Sequence, residues 1–136
     1  AGILASQILG ADFAYMGTRF ISSKESLAKP EYKAMLVDSV AKDIINTAAF
    51  TGIPNNMLRQ SIEKAGFDPD NIPSSAKSKL NFDDPNSGAK AWRDIWSAGH
   101  GVGEVKEILS VKEIVASLTT QYQETLQKPI ITRRFI

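Results

Sequence analysis

The feature that most constrains this chain is a short apolar run that ends abruptly. Phe13-Ala-Tyr-Met16 stops at Gly17, and Thr18 and Arg19 follow at once. Alternation places Phe13 and Tyr15 on one face and Ala14 and Met16 on the other, so residues 12–16 read as a short buried strand. Before it, Ile3, Leu4, Ile8 and Leu9 fall at near-helical spacing, and Gly10 stands where a helix would end. Helix, strand and glycine turn in that order is how successive units of a parallel α/β protein join. A glycine at such a junction lets the backbone approach a ligand closely. The amides after it face outward without partners, which suits a phosphate. A plain turn is the alternative reading of the same residues.

Composition narrows the function classes. The 136 residues suffice for one domain with a real core, and 43% hydrophobic with 23% charged content is that of a globular protein. A net charge of +1 gives no field that would draw nucleic acid or an anionic membrane. The absence of cysteine excludes disulfides, thiolate metal sites and a cysteine nucleophile, and it fits a cytoplasmic protein. No apolar run approaches the ~20 residues that span a bilayer, and no signal peptide opens the chain.

Further along, Ser22-Ser-Lys-Glu25 has the capping-box pattern and predicts a short helix ending near Lys29. Pro30 suits the first residue of the next helix, whose face is Tyr32, Met35, Leu36 and Val40. Residues 43–50 read as a short strand or extended connector, with Ile44, Ile45 and Thr47 favouring the strand. Pro54 predicts a helix carrying Met57, Leu58 and Ile62 and closing at Gly66. Residues 67–88 are broken by Pro69, Pro73, Pro85 and Gly88 and read as a long loop that Leu80 and Phe82 pin to the body. A helix over residues 89–96 then presents Trp92, Ile95 and Trp96. After the glycines of 99–103, Val105, Ile108 and Leu109 suggest a brief extended piece. Ser110-Val-Lys-Glu113 is a second capping box, and the helix after it keeps i, i+3, i+4 spacing through Val111, Ile114, Val115, Leu118, Tyr122 and Leu126. Pro129 ends it. The tail, residues 130–136, is apolar and β-prone and would favour pairing with something.

Little else in the chain suggests chemistry. His100 is the only histidine; a glycine loop can bring its imidazole to a ligand, and the plainer alternative is an exposed loop residue. With no second histidine and no cysteine, a metal site is not expected. Gly99-His-Gly-Val-Gly103 lacks the spacing of a dinucleotide fingerprint. Trp92 and Trp96 read as core residues, and Asp68, Asp70, Asp83 and Asp84 as solvated carboxylates. No spacing argues for a Ser-His-Asp triad.

Two segments together say more. Gly10-Ala-Asp-Phe-Ala-Tyr-Met-Gly-Thr-Arg-Phe20 resembles the final barrel strand of the nitronate monooxygenase (2-nitropropane dioxygenase) family, and Trp96-Ser-Ala-Gly-His-Gly101 resembles that family's Ala-Gly-Gln stretch. The pieces between them, Tyr32 to Ser39, Asp43-Ile-Ile and Phe50-Thr-Gly-Ile-Pro54, look like one bacterial branch of it, so the likeness runs from about Ala5 to Tyr122. The resemblance implies an α/β fold: the C-terminal part of a TIM-type (β/α)8 barrel, comprising its last strand and a mainly helical extension. It implies an FMN cofactor, oxidation of alkyl nitronates by molecular oxygen, and an FMN phosphate site to which Tyr15, Met16, Gly17 and Thr18 belong. Tyr15 stands where the family often has Gln, and His100 where it usually has Gln. No catalytic residue is implied within the chain.

The same resemblance implies that the family's first seven strands and its catalytic histidine lie upstream of Ala1. Residues 1–29 would then hold the last strand and phosphate turn, 30–66 a helical region, 67–88 the loop, and 89–136 the final helices and tail. The partners implied are a small nitronate, oxygen, and the missing barrel segment or a second copy of the chain. The isolated chain is expected to be inactive. A flavin-dependent enoyl-acyl-carrier reductase shares the barrel and similar motifs and is the enzymatic rival; a non-enzymatic helical interaction domain is the other.

Overall fold

The computed structural model describes residues 1–73 and 91–128. The predicted pin residues Leu80 and Phe82, the Asp83–Asp84 pair, the side chain of Trp92 and the 130–136 tail lie outside what it describes.

Helix α1 spans Gly2–Ile8, and Gly10 follows it with φ 97°, a conformation that only glycine adopts cheaply. The single turn α2 spans Thr18–Ile21. Helix α3 (Pro30–Asp38) opens on its proline, as the sequence predicts. Strands β1 (Ile44–Thr47) and β2 (Asn55–Leu58) pair antiparallel with Ile44 opposite Leu58 and Thr47 opposite Asn55. Helix α4 (Arg59–Lys64) closes at Gly66 with φ 85°. The single turn α5 is Ala91–Asp94, and α6 is the 17-residue helix Val111–Gln127.

The core forms where these elements meet. Leu36, Ile44, Leu58, Trp96, Ala98, Val102 and Val105 make one buried cluster, and Phe50, Met57, Ile62 and Ile95 a second. Strand β2 lies between them, with Leu58 facing one cluster and Met57 the other, as side-chain alternation requires. Residues 96–98 are strapped beside β2: Leu58 N–H donates to the Trp96 carbonyl at 2.8 Å, and Met57 bridges to Ser97. Ser61 fastens the strap from below. Its Oγ donates to the Leu58 carbonyl at 2.8 Å and accepts the Trp96 N–H at 2.9 Å. Trp96 itself stacks on Tyr32, with ring centroids 4.9 Å apart and planes 16° from parallel. Its reading as a core residue holds.

Several sequence expectations are corrected. The expected buried strand at residues 12–16 carries no regular secondary structure, and Phe13 and Tyr15 are fully exposed. A strand exists only through a neighbour that takes up its backbone groups, and among the described residues none pairs with it. The Ser22–Glu25 capping box does not form. Ser23 Oγ instead accepts the Ser26 N–H at 3.1 Å, and the Lys33 ammonium donates to the Ser23 and Ser26 carbonyls at 2.7 and 2.8 Å. The helix expected from Pro54 begins only at Arg59, because Asn55–Leu58 is drawn into the ladder offered by the β-branched run at Ile44. Val105 to Leu109 forms no strand, although Val105 is buried. Asp70 is exposed, in keeping with its reading as a solvated carboxylate, and pairs with both Nη atoms of Arg59 at 2.7 and 2.8 Å.

The final helix matches its prediction closely. Ser110 Oγ accepts the Glu113 N–H at 3.2 Å while Glu113 Oε2 accepts the Ser110 N–H at 2.7 Å, closing the capping box. Ile114 is buried on its apolar face, yet Val115 and Leu126 remain about half exposed. Tyr122 reaches α1 by donating its hydroxyl to Gln7 Oε1 at 2.7 Å.

Candidate functional site

Alongside these contacts runs a groove of about 970 Å³ between α1, residues 11–19, the segment 99–109 and α6. All four residues singled out from the sequence, Tyr15, Met16, Gly17 and Thr18, line it. Gly99 and Gly101 line it too, so the two stretches that carry the family resemblance meet in one place. The meeting is direct: Gly99 N–H donates to Thr18 Oγ1 at 2.9 Å, across 81 positions of sequence.

The local chemistry of the turn follows from its backbone. Gly17 precedes the short turn of α2, where the Phe20 and Ile21 N–H groups return to the Gly17 carbonyl at 3.0 and 3.1 Å. The Thr18 and Arg19 amides have no acceptor among the described residues, as the first amides of any helical turn have none within it. A Cβ built at Gly17 or Gly101 would meet nothing within 4 Å, so both glycines border open space. The two amides and the Thr18 hydroxyl are neutral donors beside an open cradle, the donor set that an anionic oxygen requires. The residues present therefore fit a phosphate group.

The guanidinium beside the turn was not singled out from the sequence. Arg19 lines the groove and donates through Nη1 to the Glu107 carbonyl at 3.2 Å. Its signal was its position immediately after Gly17-Thr18, where a fixed cation lies beside any anion the turn holds. Glu25 carries only a local capping signal in the sequence, yet it acts at a distance. It takes the Val111 N–H at the start of α6 instead, at 2.9 and 3.0 Å. These contacts fasten the region after the turn to the final helix.

His100 opens a 3₁₀ turn, His100–Glu104, and is exposed; its glycine neighbours line the groove and it does not. The plainer reading of this histidine is the one its placement supports. No group of three or more His, Cys, Asp or Glu among the described residues could hold a metal ion. Nor is any helix among them long and apolar enough to cross a membrane.

Taken together, the helices, the small sheet and the groove belong to an α/β protein, and its relatives are specific. The family model described as nitronate monooxygenase matches residues 1–121, and the chain belongs to that family. A probable nitronate monooxygenase of Staphylococcus saprophyticus is 32% identical over 102 residues, covering 71% of this chain and 29% of its own length. A nitronate monooxygenase of Paraburkholderia phytofirmans is 28% identical over 134 residues, covering 94% of this chain and 36% of its own. Among solved structures, FabK from Thermotoga maritima superposes with a TM-score of 0.66 at 30% identity, over 93% of this chain and 42% of that one. A point mutant of the same protein gives 0.63 at 22% identity, a likeness of fold. The chain thus spans about a third of the length of the curated relatives it matches.

Proposed function

We propose that this chain is the C-terminal part of an FMN-dependent oxidoreductase that oxidises alkyl nitronates with molecular oxygen. In this reading the segment supplies part of the FMN phosphate site, from Tyr15, Met16, Gly17 and Thr18, and carries no catalytic residue. The observation that carries it is the junction of Gly17-Thr18 with Gly99 in one open groove, in a member of the nitronate monooxygenase family.

The roles divide by chemistry. The Thr18 and Arg19 amides and the Thr18 hydroxyl would hold the phosphate oxygens, and the Arg19 guanidinium would offset their charge. Tyr15, standing where the family often has Gln, need not weaken binding, because backbone groups do most of it. When bound, FMN supplies the electron-transfer chemistry that connects nitronate oxidation to oxygen reduction. The remainder of a (β/α)8 barrel would flank residues 12–16, take up their backbone groups as a strand, and cover Phe13 and Tyr15.

The test is the full-length protein. It should purify with bound flavin and consume oxygen when given a propyl nitronate. NAD(P)H-dependent reduction of an enoyl thioester without nitronate turnover would overturn this reading in favour of an enoyl-acyl-carrier reductase. The 136-residue chain alone should show no nitronate oxidation, and turnover by a preparation of verified mass would refute the division of labour described here.

A further inference from the structure

The bond between Thr18 and Gly99 has a property that a phosphate contact alone does not need. A threonine hydroxyl can accept one hydrogen bond and donate another. Thr18 Oγ1 accepts from Gly99, and its own proton has no acceptor among the described residues. Gly99 has φ −81° and ψ 162°, a backbone open to any residue, and a Cβ there would sit 3.6 Å from Thr18 Oγ1, an ordinary contact. The segment is therefore not held against Thr18 by steric necessity. Ala98, Val102 and Val105 pack the segment into the first core cluster, and the hydrogen bond ties its Gly99 end to Thr18. Beyond Gly99 the chain enters the 3₁₀ turn His100–Glu104, whose Val102 is buried, so an anchor at its first residue sets where Gly101 borders the groove.

We propose that Thr18 is a positioning residue. Its hydroxyl holds the 99–104 turn against the Met16–Thr18 turn, and the same hydroxyl donates its proton to the phosphate. The second half rests on the flavin reading above; the first does not. A hydroxyl that donates to an anion becomes a better acceptor, so ligand binding at one turn tightens the other. Occupancy of the phosphate site and order of the glycine turn are coupled through one oxygen atom.

Hydrogen exchange at the 99–104 amides of the full-length protein, with and without FMN, tests both halves. Thr18→Val removes the hydroxyl at nearly constant shape, Thr18→Ser restores it, and Thr18→Ala is the second hydroxyl-free variant should valine not fold. Without FMN, the hydroxyl-free variant should exchange the Gly99 amide about five- to tenfold faster than wild type, the span of one hydrogen bond, and serine should recover the slow rate. With FMN, wild type and Thr18→Ser should slow further at 99–104, whereas the hydroxyl-free variant should bind more weakly and show no added protection there. Unchanged Gly99 exchange on loss of the hydroxyl overturns the positioning role. Added protection at 99–104 in the hydroxyl-free variant at saturating FMN overturns the coupling. If wild type does not bind FMN, the flavin reading and the coupling fall together, and ligand-free exchange at Gly99 decides the positioning role by itself.

Discussion

The carboxylate of Glu25 accepts the backbone N–H of Val111, 86 residues away, with both oxygens within 3.0 Å. Val111 is the first residue of α6, so its amide is one of those a helix leaves without an internal partner. A distant carboxylate thus caps the final helix in addition to Ser110. Glu25→Ala should lower stability by about 1 kcal/mol, the usual cost of a lost cap. The shift in urea midpoint at unchanged m-value measures it, and Glu25→Gln should recover part, since an amide oxygen still accepts.

Acid should loosen the same corner. Glu113 accepts from the Ser110 hydroxyl, from the Ser110 N–H and from the Lys24 ammonium, and these hold its carboxyl down at about 2, against the ordinary 4.5. A depressed carboxyl contributes stability that is fully present above its unfolded value and is lost as pH falls through its folded one. Unfolding free energy should therefore decline between about pH 4.5 and 2 more steeply in wild type than in Glu113→Gln. Denaturant titrations at several pH values in that window provide the comparison, and parallel slopes would contradict it.

Ser61 is a small residue with a large expected effect. It is fully buried and joins the Leu58 carbonyl to the Trp96 N–H. Ser61→Ala leaves the tryptophan amide without that acceptor, at a cost of about 1–3 kcal/mol. Near-UV circular dichroism should register a disturbed Tyr32–Trp96 stack, and chemical denaturation the loss of stability.

Phe50 anchors the second cluster. It is fully buried and meets Phe67 edge to face, with centroids 5.2 Å apart at 69°. Phe50→Ala should cost about 3–5 kcal/mol through lost burial and the cavity left behind. Phe50→Leu should cost markedly less, and equal losses for the two would argue against a packed site.

What was legible in the sequence was whatever is decided within a few residues. Pro30 at the start of α3, the glycines closing α1 and α4, the strand at Ile44 and the Ser110–Glu113 box all depend on local backbone geometry. What failed was decided across space. Asn55–Leu58 has no strong strand pattern of its own and became one because β1 lies beside it. Glu25 looked like half of a local cap and serves a helix 86 residues away. Residues 12–16 have the pattern of a strand, and among the described residues no neighbour makes them one.

The site divides in the same way. Met16-Gly17-Thr18 was legible through its motif, and the structure places it in the groove with Tyr15. Its junction with Gly99 was not, because nothing in either stretch encodes that they touch. Arg19 stood in plain view within the motif. It is the first cation after the turn's backbone donors.

Among the described residues, the buried apolar members of both clusters fall between Leu36 and Val105, and none comes from residues 1–19, which contribute half of the groove's wall. The packing of the two clusters and this wall of the groove thus draw on different stretches of the chain. Within this chain, exchanging the exposed Tyr15 should disturb packing little, whereas Arg19 is tied to the Glu107 carbonyl. A screen that rewards only thermal survival would weigh the two core clusters heavily and the groove-lining residues within 11–17 lightly.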